Sequence, residues 1–146
     1  MPTAGRLAGA IFFGLFAWYL ATITVPFFPE SREPDYWFPV SVVIGIFVGW
    51  KVCGTRAGRG FSPATGIGLT AGPVVAFCMV FTLAFDQMLQ NGMRLRYDGP
   101  TAAIVDTFAL MAEWGLEFYD INLILTVIVG GLVCAWATEI VGQRLP

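Results

Sequence analysis

The sequence of 146 residues contains no histidine and only three cysteines. Without histidine the chain lacks the commonest protein ligand of zinc, copper and haem iron, and also the usual base of a serine nucleophile. Cys53, Cys78 and Cys134 form no CxxC pair, so neither a disulfide framework nor a thiolate metal site is expected. Cys53 lies among basic residues and is either a reactive thiol or a structural residue. These absences predict a protein without catalytic residues, bound metal or cofactor.

Charged residues are also scarce. They make up 12% of the sequence, with eight basic and ten acidic side chains, and the net charge is -2. The sequence has no basic run of the kind that follows a phosphate backbone, which excludes nucleic acid as an expected partner. Hydrophobic residues make up 57%, and the mean hydropathy is +0.73. Because so few charges cannot cover a water-exposed surface, most of the exterior is expected to face lipid.

Four segments with few or no charges are candidates for membrane spans, since a helix of roughly 20 residues crosses the hydrocarbon layer. These spans are predicted at about residues 7–28, 38–53, 63–86 and 121–141. The first segment is too long and too aromatic for a cleaved leader, because Trp18 and Tyr19 lie inside it. The second is the shortest, and it reaches the interface only if Lys51 extends toward the headgroups. Pro73 predicts a kink in the third.

The loop between the third and fourth spans has the periodicity of an amphipathic helix over about residues 100–118. One face is predicted to be apolar, with Ile104, Phe108, Met111, Gly115 and Phe118. The opposite face carries Asp106, Glu113 and Glu117. The predicted fold class is therefore an all-α integral membrane protein. It has a single membrane domain, residues 1–146, with a bundle of four transmembrane helices and one extra amphipathic helix on the membrane surface.

The basic residues are divided unevenly between the two ends of the predicted spans. One side carries Arg6, Lys51, Arg56, Arg59 and Arg144. Of the ten acids, Glu139 alone falls on that side. The positive-inside rule therefore places both termini in the cytoplasm and the loop between the third and fourth spans in the periplasm. The expected location is the bacterial inner membrane.

Three sets of residues are candidates for assembly or binding. Small residues four positions apart allow close helix packing, either inside the bundle or against another protein. They are Gly45, Gly49, Gly68, Gly72, Gly131 and Ala135. The candidate contacts for an anion or a lipid headgroup are Arg56, Arg59, Arg94 and Arg96. The candidate partner-docking face consists of Asp106, Glu113 and Glu117.

The glycine-rich turn of residues 54–60 and two carboxylates admit more than one interpretation. The amides and guanidinium groups of the turn fit either a phosphate or the lipid headgroups. Asp86 and Glu139 lie at span ends and are expected to be interfacial residues, with Glu139 paired to Arg144 or Lys51. A carboxylate near the bilayer is also a candidate for moving protons or cations.

Several segments of the chain resemble a bacterial family. They are Met1–Leu7, Val48–Trp50 followed by Arg56–Gly60, Gly68–Thr70 and Arg94–Pro100. These segments carry a resemblance, over nearly the whole chain, to the TrgA-type membrane proteins associated with tellurite resistance. The resemblance implies a small inner-membrane protein linked to tolerance of an oxyanion, and it transfers no functional residues to this sequence.

Two functions are compatible with these observations. The first is an accessory subunit that contacts the lipid bilayer and other membrane protein subunits, and docks on a larger complex such as a respiratory or photosynthetic one. Without histidine, such a subunit would not hold haem or bacteriochlorophyll through an imidazole. The alternative is a protein of oxyanion resistance or transport, in which the arginines contact the anion.

Overall fold

Five helices make up the part of the chain that the structure describes. The computed structural model describes residues 3–29 and 34–145. The helices are α1 (Thr3–Thr24), α2 (Trp37–Val48, continued by a π-helical turn Gly49–Cys53), α3 (Phe61–Met93), α4 (Pro100–Glu117) and α5 (Ile121–Arg144). α1 ends earlier than predicted because Pro26 lies in a 3-10 turn, Val25–Phe27, that follows it. The predicted all-helical class is confirmed.

α1 and α2 form an antiparallel pair that is packed backbone to backbone. A Cβ on Gly45 would fall on the carbonyl oxygen of Phe13. A Cβ on Gly9 would lie only 2.6 Å from the carbonyl oxygen of Gly49. Helices approach this closely only where side chains are missing from the contact.

Specific contacts fix both ends of this pair. At one end the Trp37 indole N–H donates to the carbonyl oxygen of Ala21 at 3.3 Å and to the hydroxyl of Thr24 at 3.2 Å. At the other end Gly54 lies against Arg6, since a Cβ on Gly54 would be 2.5 Å from the Arg6 Cα. α2 therefore begins and ends beside the two ends of α1.

α5 closes the bundle between α1 and α3. A Cβ on Gly131 would lie 2.6 Å from the carbonyl oxygen of Gly68, and Gly72 packs on the α5 backbone one turn further along. On its other side, α5 presents Gly130 to the ring of Phe16 on α1. Because α2 also packs on α3, the four helices form a ring in the order α1, α2, α3, α5.

α3 is longer than predicted, and α4 folds back along its outer end. α3 continues to Met93 instead of ending near residue 86, because the residues beyond 86 are mostly good helix formers and pack on α4. Near the connecting turn the Tyr97 hydroxyl donates to Asp106, and further along the Trp114 indole donates to the side chain of Gln87 at 2.8 Å. α3 and α4 therefore form an antiparallel hairpin.

The buried face of α4 differs from the predicted one. Its buried residues, with the one that follows it, are Thr107, Leu110, Trp114 and Phe118. Trp114 selects this face, because its ring packs on Phe28 and Phe118 with centroid distances of 5.5 and 5.7 Å. Phe118 belongs to the predicted apolar face, but Ile104 and Phe108 of that face are exposed. Packing of Trp114 on Phe28 and Phe118 therefore rotates α4 away from the orientation that its hydrophobic pattern predicts.

Three of the helices, α1, α3 and α5, are long and apolar enough to cross a membrane. Their outward surfaces carry large exposed apolar side chains such as Leu15, Phe77 and Val129. α2 with its π-helical turn is shorter and also apolar. These lengths and outward-facing side chains support a helical membrane protein.

Candidate functional site

The turn between α2 and α3, residues 54–60, is held by a carboxylate from α5. Glu139 is 2% exposed, and its oxygens accept the backbone N–H groups of Gly58 at 2.8 Å and Gly60 at 2.6 Å. Both glycines have positive φ, 88° and 111°, a conformation in which nearby amides can converge on an anion. The side-chain amide of Gln143 donates a third hydrogen bond at 2.8 Å. We refer to this arrangement as the Glu139 clasp.

The Glu139 clasp changes two expectations for this end of the molecule. The expected pairing of Glu139 with Arg144 or Lys51 is wrong, because its hydrogen bonds come from backbone amides and a glutamine. Amides of the adjacent turn reach a carboxylate inside the bundle, whereas long basic side chains keep their charge in water. The turn also cannot offer the amides of Gly58 and Gly60 to an external phosphate, since an internal anion occupies them.

The two arginines of the turn lie at a cleft beside α3. Arg56 and Arg59 are exposed, and the cleft has a volume of about 380 Å³. Its remaining walls come from Pro63, Gly66, Ile67 and Thr70. Arg94 and Arg96 are also exposed, but they follow α3 at the opposite end of the bundle. The four candidate arginines therefore form two separate pairs, of which the first lines a cleft.

The three acids of α4 are not equivalent. Asp106 is half-buried and accepts the hydroxyl of Tyr97. Desolvation, together with this hydrogen bond, raises the pKa of Tyr97 above its ordinary value of 10.0. Glu113 is exposed and Glu117 is half-buried. Asp106 therefore acts inside the α3–α4 hairpin, and the outer polar face retains the two glutamates.

The six small residues singled out for helix packing lie at contacts within this chain. Gly45 and Gly49 face α1, and Gly68 and Gly72 face α5. Gly131 faces α3, and the methyl group of Ala135 would lie 2.9 Å from a Cβ on Gly68. These positions join the helices of the bundle, so the outward surfaces of the helices remain for lipid or a partner.

An apolar cavity of about 310 Å³ lies beside Pro73, between α3 and α5. The hydroxyl of Thr24 lies at its wall, but it already bonds to the backbone of its own helix and accepts the Trp37 indole. Much of the wall is formed by Leu20, Met79, Val80, Leu123, Val127 and Ile128. The cavity suits an apolar chain and supplies no group for acid–base chemistry.

Residues 3–29 and 34–145 give little evidence of metal binding or of a reactive thiol. No group of three or more histidine, cysteine or acidic residues within these ranges could hold a metal ion. Cys53 is buried in the bundle core, which removes the solvent access that a reactive thiol needs. Its role as a structural residue therefore agrees with its environment.

The Glu139 clasp and the bond between Trp114 and Gln87 are two contacts that the sequence does not predict. For Glu139 the sequence holds one signal, because it is the lone acid on the basic side of the predicted topology. The bond between Trp114 and Gln87 has no such signal, since it depends on how α4 returns along α3.

Comparison with protein-family models, with curated proteins and with solved structures gave no match for this chain. Function is therefore inferred from the residues and contacts of the chain itself.

Proposed function

We propose that this chain is a non-catalytic membrane protein that docks, as an accessory subunit, on a larger complex of the bacterial inner membrane. The proposal includes four transmembrane spans, α1, α2, α3 and α5, with both termini in the cytoplasm and α4 in the periplasm. The observation that carries it is the exposed apolar surface of the α3–α4 hairpin.

This hairpin is too long to lie within the bilayer. α3 has 33 residues, so at roughly 1.5 Å per residue it is about 50 Å long, against roughly 30 Å for the hydrocarbon layer. With Phe61 at one boundary of this layer, the turns around 87–93 extend beyond the other boundary. Because α4 packs on those turns, most of α4 also lies outside the hydrocarbon layer.

The hairpin exposes several large apolar side chains. Four large side chains of α4 are 59% to 75% exposed: Ile104, Val105, Phe108 and Leu116. Leu95, in the turn between the two helices, is 92% exposed. Large apolar side chains in contact with water are unfavourable, and contiguous patches of them mark interaction surfaces. Glu113 and Glu117 lie on the same helix, so a partner surface with apolar and basic residues fits best.

α2 is included as a span because it shares both ends with α1. Trp37 lies beside Ala21 at one end of the pair, and Gly54 lies beside Arg6 at the other. α1 is long and apolar enough to cross a membrane. An apolar helix that lies alongside it over this distance would cross the same layer.

The two ends of the bundle differ in charge, which supports the proposed orientation. The end at which α1 begins and α5 finishes carries Arg6, Lys51, Arg56, Arg59 and Arg144. Its acid, Glu139, is buried in the clasp. The opposite end carries Asp35, Asp86, Asp98, Asp106, Glu113, Glu117 and Asp120, together with Arg94 and Arg96. By the positive-inside rule the first end belongs in the cytoplasm.

A role in oxyanion resistance or transport, such as tolerance of tellurite, is the second candidate. The exposed pair Arg56 and Arg59 favours it, because guanidinium groups bind oxyanions through two parallel hydrogen bonds. The Glu139 clasp counts against it, since it occupies amides that would complete an oxyanion site. The buried hydroxyls of Ser41 and Thr138 also bond to carbonyl groups of their own helices, so neither is free to bind a passing ion.

Native electrophoresis after gentle detergent extraction from native membranes distinguishes the two candidates. The tagged wild-type chain is expected to migrate in a complex larger than a homodimer. The variant Phe108→Ser/Leu116→Ser is expected to lose that complex while it keeps its helical circular dichroism. The change Ala109→Ser, at an exposed position of the same helix, should leave the complex intact. A wild-type chain that migrates as a monomer or homodimer contradicts docking and favours the oxyanion role.

Reporter fusions test the four-span arrangement separately. A fusion at the N-terminus and one after Arg59 are expected to report the cytoplasm, and one after Asp106 the periplasm. If the first two report opposite compartments, α2 does not cross the membrane and the proposed topology is wrong.

A further inference from the structure

The cleft at the start of α3 combines two exposed positive charges with an apolar groove. Arg56 and Arg59 are exposed at its mouth. Glu139, the acid at this end of the bundle, gives its oxygens to backbone amides and to Gln143. The Glu139 clasp therefore fixes the turn that carries both arginines without neutralising their guanidinium groups.

The groove continues from the arginines along one side of α3. Its walls are Pro63, Gly66, Ile67 and Thr70. A Cβ on Gly66 would meet no atom within 4 Å, so open space lies above this residue. The Thr70 hydroxyl donates to the carbonyl oxygen of Ile67 at 2.9 Å, which turns it back to its own helix. The groove therefore presents mainly hydrocarbon beyond the charged mouth.

The arginines precede α3 and the groove lies along its first turns, which is the order in which the headgroup and the acyl chain of a phospholipid enter the membrane. α3 begins at Phe61 and is apolar enough to cross a membrane, and Arg59 precedes it by two residues. Under the proposed topology, the guanidinium groups lie at the depth of the lipid phosphates, and the groove over Gly66 lies at the depth of the acyl chains.

We propose that this cleft binds one anionic phospholipid, with its phosphate on Arg56 and Arg59 and one acyl chain in the groove over Gly66. The inference rests on the proposed membrane topology but not on docking to a partner. A phospholipid fits better than a free oxyanion for two reasons. The amides of Gly58 and Gly60, which would surround a small anion, are occupied. A small anion also makes no use of an apolar groove.

Native mass spectrometry of the purified full chain tests this proposal. The protein is released from detergent micelles that contain equal amounts of phosphatidylglycerol and phosphatidylcholine with identical acyl chains. The wild type is expected to retain one phosphatidylglycerol in preference to phosphatidylcholine. The variant Arg56→Gln/Arg59→Gln should reduce this retention by roughly tenfold or more, because it removes both charge-assisted contacts.

Two further variants separate a specific site from general attraction. Lys51→Gln/Arg144→Gln removes the same charge from the same end of the bundle but lies outside the cleft, so retention should change less than twofold. Gly66→Leu keeps the charge and fills the groove, and it should reduce retention to a level near that of the double arginine variant. Its open surroundings allow it to fold, which helical circular dichroism verifies.

Three results would overturn the inference. Equal losses in the two double variants would show a diffuse basic surface. Unchanged retention in Gly66→Leu would show that no chain occupies the groove. Displacement of the lipid by millimolar inorganic phosphate, or arginine-dependent binding of phosphate without lipid, would show a free-anion site. None of these results depends on whether the chain joins a larger complex, so docking and lipid binding fail independently.

Discussion

The substitution Glu139→Gln tests how strongly α5 holds the turn between α2 and α3. The carboxylate accepts N–H groups on both of its oxygens, from Gly58 and Gly60. A glutamine keeps the shape of the side chain but has one acceptor oxygen and one NH₂ group. One backbone N–H would therefore face another donor inside the bundle, and the remaining hydrogen bond would be made to an uncharged acceptor.

The expected effect is large because hydrogen bonds to a charged group contribute roughly 1.5–3 kcal/mol each, and an unsatisfied buried donor costs about as much. Losing one such bond and weakening another should cost about 3 kcal/mol, which raises the open population of the turn by roughly 100-fold. Opening should be local, because the glycine contacts between the helices do not involve this side chain.

Limited trypsin digestion in detergent measures this opening directly, since Arg56 and Arg59 are cleavage sites inside the turn. When opening is fast relative to cleavage, the cleavage rate follows the open population. Glu139→Gln should therefore accelerate cleavage at these two sites and leave cleavage at Arg94 and Arg96 unchanged. Glu113→Gln makes the same chemical change at an exposed position of α4 and serves as the control. Unchanged cleavage of the turn in Glu139→Gln would refute the proposed role of the clasp.

Two further predictions concern a helix contact and a titratable group. Gly45→Ala should destabilise the bundle by roughly 1–3 kcal/mol, because its Cβ meets the backbone of Phe13, whereas Gly66→Ala in open space should be neutral or stabilising by up to about 1 kcal/mol. Unfolding by sodium dodecyl sulfate, followed by tryptophan fluorescence, measures both changes, and equal effects would contradict the packing argument. Desolvation, together with the hydrogen bond to Asp106, raises the pKa of Tyr97, so the folded hairpin favours the protonated phenol. This contribution to stability is fully present below the unfolded-state pKa of about 10 and is lost as pH rises through the folded-state pKa. The difference in absorbance at 295 nm between wild type and Tyr97→Phe reports ionisation of Tyr97, and its midpoint is expected above pH 10. Asp106→Asn should lower this midpoint, and a midpoint that does not move would exclude the interaction.

The sequence predicts those parts of the fold that depend on local properties. Long uncharged runs predict α1, α3 and α5, because a helix satisfies its own backbone groups and these runs carry the apolar side chains that lipid requires. The start of α4 follows from Pro100, which suits a first helical turn.

Features that depend on tertiary packing escape such prediction. The face of α4 is chosen by Trp114, which meets Gln87 on α3, and the hydrophobic pattern alone favours Ile104 and Phe108. α3 extends beyond its predicted end for the same reason, since its last turns pack on α4. In the candidate site, the charges of the arginines are visible in the sequence, but the groove beside them depends on how α3 packs in the bundle.

The hydrogen bond that the Gly58 N–H donates to Glu139 joins positions 81 residues apart in the sequence, and this separation has a consequence for biogenesis. Under the proposed topology the turn between α2 and α3 faces the cytoplasm, and during synthesis it is complete long before the carboxylate that secures it has emerged from the ribosome. Until α5 is inserted, that turn should remain a substrate for cytoplasmic proteases. A nascent chain that stalls before residue 139 would therefore present a cleavable segment, and molecules that finish insertion would be spared.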